Sequence, residues 1–303
     1  SGWFTTTFGE VRNRADLILL LGKDCLERFP RVVERVLLPD EALFSPTPRR
    51  RLVLVGSWAD APLPPPLAAL EPLVIPLEIS RLGGFSNLLR GLLAGRPLDM
   101  GALGGAVEAQ LPALLESLRA AHYSVLCWSA AELAFAHAEL TVDALVQLVR
   151  DLNLEGRAAA LPLSGTLGDQ TANQVCTWQT GYPLRSSLQR GYPEHDALLY
   201  RYQDLLERNE IDLLLWISAL SPQMRPPPTK LPRIVLGHPA MTFETPPAVF
   251  IPVGIPGIDH PGHLYRSDAT CVLPLGKLRD SGLPSVAWVV DALRQRLSND
   301  KAN

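Results

Sequence analysis

Asp259, His260 and His263 form D-H-x-x-H, two imidazoles and a carboxylate of the kind that ligate zinc. Pro256, Gly257, Pro261 and Gly262 surround them. No helix can set the geometry of an HExxH site there, and the pattern reads as a polar turn. Glu194, His195 and Asp196 place an imidazole between two acids. Adjacent residues project in different directions, so this trio reads as a helix start, with Asp196 near the positive end of the dipole. His238 follows an apolar run, where a lone general base could stand. His122 and His137 border apolar stretches and read as packing residues. Ser164 and Gly165 follow another apolar run but lack the GxSxG elbow, leaving a turn or cap reading. Neither GxxxxGK[ST] nor a GxGxxG between strand and helix is present. Cys25, Cys127, Cys176 and Cys271 lie far apart with no CxxC spacing, as packed, reduced thiols do. The residues alone assemble no catalytic constellation.

The chain is organised around residues 162–193, PLSGTLGDQTANQVCTWQTGYPLRSSLQRGYP. This stretch is too polar and too rich in Gly and Pro for a buried strand or a regular helix. It nonetheless holds Trp178, Tyr182 and Tyr192, which an unstructured linker rarely carries. It reads as a long irregular loop leaving a strand, folded inward with Trp178 partly buried. Trp178 and Tyr182 could stack on a planar cofactor; aromatic residues in such a loop more often anchor it to its own core or a neighbour.

The elements that must position this loop alternate. Apolar runs at 14–21, 52–55, 73–77, 124–128, 158–163, 212–217, 234–236 and 249–253 read as buried parallel strands. Helical patterns at 27–37, 86–94, 104–121, 141–152, 196–208 and 285–297 separate them. Residues 1–8 offer no helix or strand. The order predicts an α/β fold of doubly wound, mostly parallel sheets with right-handed crossovers. The two ends echo each other: ADLILLLG, RLVLVG and LVIPL near the start, EIDLLLWI, PRIVLG and AVFIPV near the end. That echo suggests related α/β halves at 1–80 and 211–303 around a middle unit, 81–210, carrying the central loop. Ligands of such folds sit at the carboxyl ends of the strands.

A chain of 303 residues that is 47% hydrophobic can bury a large core. Its net charge of −3 gives no electrostatic case for nucleic acid. The basic cluster Arg49–Arg50–Arg51 reads as a solvated strand entrance. No apolar run approaches the roughly 20 residues that span a bilayer. With no signal peptide at its start and packed thiols, the chain reads as cytoplasmic. Only 19% of residues are charged while 28 are proline, which points to loops packed against partner subunits. The start lacks an initiator Met and suggests a missing N-terminal segment.

Three motifs carry a family resemblance. ANQVCTWQTGYP with RGYP, the opening TTTFGEVRNRADLILLLGKD, and IPVGIPGIDHPGHLYRSD occur in order along nearly the whole chain. Together they resemble the B subunits of formylmethanofuran dehydrogenases, members of the molybdopterin oxidoreductases. The motif loop is Asn173, Trp178, Gln179, Thr180, Gly181, Tyr182 and Pro183. Where that family carries Arg-Gly-His, this chain has Ser164, Gly165 and Thr166, so groups that could orient formate and shuttle protons are gone. The resemblance implies either of two things. One is a non-catalytic subunit of the related bacterial formyltransferase/hydrolase complexes, without catalytic or cofactor-binding residues or a metal of its own. Such a subunit would stand in an A2B2C2D2 hetero-oligomer with an amidohydrolase-like A subunit carrying zinc, a β-helical C subunit, a formyltransferase D subunit and a methanofuran-type carrier. The other is a tungsten or molybdenum bis-pterin dehydrogenase whose metal-site segment precedes this chain.

Overall fold

The computed structural model describes residues 2–39, 41–44, 50–58, 63–97, 101, 103–164 and 167–300. It divides into two units, Ser1–Ser164 and Gly165–Asn303.

In the first unit, β1 (Leu17–Leu21), β2 (Arg51–Val55), β3 (Leu73–Ile75), β4 (Ser124–Ser129) and β5 (Ala158–Leu163) form one parallel sheet ordered β3-β2-β1-β4-β5. Continuous apolar sequences such as LILLL suit strands covered on both faces. Leu17, Leu19 and Leu21 face a core shared with α4 (Leu82–Leu93), α6 (Leu111–Arg119) and α7 (Ala138–Leu152), beside the short α5 (Gly105–Glu108). Ile18 and Leu20 face a second core with α1 (Phe8–Arg14), α2 (Asp24–Glu27), a π-helical turn at Val33–Leu37 and α3 (Pro65–Ala68). Each fully buried leucine contributes roughly 1.5–3 kcal/mol.

Polar residues fix the sheet's amino end. Buried Asp16 accepts from the backbone of His122 at 3.0 Å and Tyr123 at 2.8 Å, setting β1 against β4. His122 itself is exposed. Arg50, expected among solvated arginines, is instead buried and donates to the carbonyls of Arg12, Val36 and Leu37. Burial lowers its pKa to about 10. Three carbonyl acceptors make a buried guanidinium tolerable here. Arg51 reaches Asp16 at 3.4 Å, and Arg49 lies outside the described residues. Two of the cysteines that are distant in sequence meet in this core. Cys25 and Cys127 are free thiols with sulfurs 3.8 Å apart, and that contact together with burial pushes the Cys25 pKa up.

In the second unit, β8 (Leu214–Ser218), β9 (Arg233–Gly237) and β10 (Val249–Pro252) form a parallel sheet in chain order, as β1, β2 and β3 do. The echo between the ends of the chain is therefore structural. Here the core is small: Ala219, Leu236, Val253 and Val289, the last from α10 (Val286–Asp300). Leu215 and Ile217 of β8 remain 46% and 50% exposed. Two hairpins, β6 (Ser186–Ser187) with β7 (Glu194–His195) and β11 (Gly262–Tyr265) with β12 (Val272–Leu275), complete it with α8 (Asp169–Thr180) and α9 (Tyr202–Glu207).

Four expectations need correction. The described residues do not group as 1–80, 81–210 and 211–303, because β4 and β5 pair into the sheet of β1 and the division falls after Ser164. The central stretch is no irregular loop, since α8 occupies twelve of its residues. Trp178 is 66% exposed rather than folded inward. Residues 2–8 are structured: Thr5 bridges Ala160 at the edge of β5, and Thr7 caps α1 by accepting from the Glu10 amide at 3.1 Å. Among the described residues no helix is long and apolar enough to cross a membrane.

Candidate functional site

The order β3-β2-β1-β4-β5 reverses direction between β1 and β4, and such a switch point is where open α/β sheets bind ligands. The chain leaves β1 through Gly22, whose amide donates to Val55 at 2.8 Å and whose φ is 96°. That left-handed turn aims the next two amides back across the sheet end. Lys23 N and Asp24 N donate to the two carboxylate oxygens of Glu132, at 2.9 and 3.0 Å. Glu132 lies just beyond β4, in a turn closed by its own amide on Ser129 at 3.2 Å. A Cβ on residue 22 would overlap this carboxylate and displace it, and the left-handed φ itself favours glycine. Burial pushes the Glu132 pKa up; the two amides oppose it, and the Asp24 and Glu27 carboxylates add to it. The junction is a pair of convergent N–H groups holding an anion, and the anion is part of the chain. Nearby, Trp58 follows β2 at 8% exposure, and its Nε1–H is the single buried side-chain donor without a partner among the described residues.

The residues with chemical types singled out in the sequence stand elsewhere, in structural bonds. Asp259 accepts from Ile255 N at 2.8 Å and pairs with Arg279 at 2.6 Å, which holds its carboxyl at about 2. His260 sets its ring nitrogens against the carbonyls of Pro261 and Gly254, at 2.7 and 3.2 Å. His263 lies on β11. No group of three metal-ligating side chains occurs among the described residues. Asp196 caps a turn by accepting from the amides of Leu198 and Leu199, and His195 Nδ1 meets the Arg185 carbonyl. His195 and Asp196 thus lie on and after β7, ahead of α9, rather than in a helix start. His238 Nδ1 accepts from Ala240 N at 3.0 Å. His137 enters α7 in a left-handed conformation. Ser164 ends the first unit, while Gly165 and Thr166 lie outside the described residues. Glu132 carried no sequence signal beyond the glycine closing β1.

No family model matches the chain. The B subunit of the formyltransferase/hydrolase complex Fhc from Methylorubrum extorquens is 28% identical over 98% of this chain and 78% of its own length. The B subunit of tungsten-containing formylmethanofuran dehydrogenase 2 from Methanocaldococcus jannaschii is 27% identical over 88% of this chain. The chain is homologous to both. It spans 62% of the length of the tungsten-containing relative. A chain from the crystal structure of the M. extorquens complex FhcABCD with methylofuran shares its fold, with a TM-score of 0.79 at 23% identity over 100% of this chain and 80% of that one.

The sequence motifs that carry the resemblance build structure here. Gly181, with φ 81°, ends α8 as a left-handed cap whose amide donates to Thr177 at 2.9 Å, and Pro183 prevents continuation. Thr180 Oγ1 accepts from Tyr182 N, and Asn173 Oδ1 accepts from Leu184 N at 3.0 Å, tying the following chain to the helix. Trp178 packs edge-on against Tyr265, Tyr182 stacks on His195, and Gln179 is exposed. Arg266 grips Asp268 through two bonds of 2.8 and 2.6 Å. The sequence resemblance to tungsten or molybdenum bis-pterin enzymes implies an anionic pterin cofactor. The switch-point residues present here do not fit one, because Glu132 already takes the convergent donors.

Proposed function

We propose that this chain is a non-catalytic, structural B subunit of a formyltransferase/hydrolase complex, which converts formyl-tetrahydromethanopterin to formate through a formyl-methanofuran-type carrier. The observation that carries this reading is the Glu132 carboxylate seated on Lys23 N and Asp24 N. A sheet end filled by the chain's own anion is a packed junction rather than a cofactor cradle. The match to the Fhc relative over 98% of this chain supports the same complex. On this reading zinc and the carrier belong to partner subunits, the amidohydrolase-like A, the β-helical C and the formyltransferase D, and the assembly is cytoplasmic. The open face of β8 at Leu215 and Ile217 and the exposed Trp178 fit a subunit covered by others, since a parallel sheet is ordinarily buried on both faces.

Similarity to the tungsten-containing dehydrogenase favours a second reading, a metal–pterin subunit. Elemental analysis of the native complex, with fluorescence detection of released pterin, separates the two. Zinc without stoichiometric tungsten, molybdenum or pterin is expected. Stoichiometric tungsten or molybdenum together with pterin would overturn the structural reading.

A further inference from the structure

At the opposite end of the first sheet, where β4 and β5 begin, lies a cavity of about 560 Å³. Its floor is apolar, from Leu93, Leu118 and Leu152 at the ends of α4, α6 and α7. Its rim carries Arg90, Arg96, Arg119 and Arg157 with Asp151 and Glu155. Arg90 and Asp151 neutralise each other at 2.6 Å. Arg96, Arg119 and Arg157 have no carboxylate within ion-pair distance among the described residues, and Glu155 has no cation. Three unmatched guanidiniums against one unmatched carboxylate leave an excess of positive charge around one concavity.

Helix dipoles account for part of this. Arg90 and Arg119 stand in the last turns of α4 and α6, where cations are favourable. Arg96 and Arg157 lie outside any helix, so that explanation does not reach them. Arg157, which lines the cavity, also sets its guanidinium 6.0 Å over the Tyr123 ring, in the wall it shares with a neighbouring concavity. Gathering like charges around an apolar floor is unfavourable unless an anion joins them. Guanidinium forks match carboxylate and phosphate oxygens, and the volume falls within the range of small-molecule sites.

We propose that this cavity binds a small organic dianion, a dicarboxylate or a phosphate monoester, with its charged groups on Arg96, Arg119 and Arg157 and its apolar body on the leucine floor. The test is calorimetric titration of the full chain with glutarate and with phenyl phosphate, using glutaramide as a neutral control. Saturable binding of one molecule per chain is expected for at least one dianion, and none for the amide. Preference for glutarate assigns carboxylate chemistry; preference for phenyl phosphate assigns phosphate. Arg119→Ala and Arg157→Ala should each weaken binding about tenfold, as loss of a charged hydrogen bond does. Glu155→Gln should tighten it a few-fold, and added salt should weaken it. Each variant is at an exposed position, and an unchanged circular dichroism melt confirms its fold. Three results would overturn the proposal: no saturable binding at millimolar dianion, binding indifferent to the arginine and Glu155 variants, or an oligoglutamate peptide outcompeting both small probes, which would make this a protein-docking surface.

Discussion

The Gly22–Glu132 contact lends itself to a double-mutant cycle. Glu132→Ala removes two charge-assisted bonds, to Lys23 N and Asp24 N, and leaves both amides to water. For a half-buried group, about 1 kcal/mol each is reasonable, so the variant should lose about 2 kcal/mol. Gly22→Ala adds a methyl at φ 96°, costing about 1–2 kcal/mol in backbone strain, and also expels the carboxylate, for a total of about 3–4 kcal/mol. In the Glu132→Ala background only the strain remains. The double variant should therefore lose about 3–4 kcal/mol rather than the additive 5–6, a coupling of about 2 kcal/mol, well above the ~0.5 kcal/mol scatter of independent sites. Urea unfolding of the full chain, read by tryptophan emission including the buried Trp128, gives the four midpoints. If Gly22→Ala costs the same with and without Glu132, the carboxylate does not occupy the turn, and the argument for a self-filled switch point fails.

Two further outcomes concern the second unit. Asp259 has its pKa lowered from 3.8 to about 2, so its stabilisation is complete above 3.8 and is lost as pH falls through 2. Acid unfolding of Asp259→Asn should lack that component, while above pH 5 the variant should be uniformly less stable. Gly181→Ala should cost about 1 kcal/mol through its left-handed φ and shorten α8, seen as faster amide exchange near Thr177.

Much of this architecture was legible in the sequence because buried parallel strands announce themselves. LILLL, RLVLV and AAALPL are apolar almost without interruption, and each is a strand where the run predicts one. The echo of three strands at each end was legible for the same reason. Helix α8 was not, because it buries none of its residues and so carries no apolar stripe; Gly168 before it and Gly181 after it look like loop punctuation. Helix α1 carries a faint signal, the Thr7-x-x-Glu10 spacing of an N-cap, with only Val11 buried behind it. The hairpins are short and outside the two parallel sheets, so nothing in their composition marks them. The switch-point contact joins residues 108 and 109 positions apart, and one sequence gives no sign that Glu132 rather than a ligand meets those amides.

The unequal cores of the two units bear on how a cell keeps this chain in balance. The first unit closes its sheet on both faces with its own helices, while the second gathers only a small apolar cluster around Leu236 and Val253 and leaves β8 open at Leu215 and Ile217. A newly made copy without companions presents a finished amino-terminal half joined to a half whose apolar surface attracts chaperones and proteases. On the proposed reading as a complex subunit, surplus copies would be removed and assembled ones spared. If the chain is the complex subunit proposed above, its abundance follows that of its partners, and matched subunit numbers need no separate control over its synthesis.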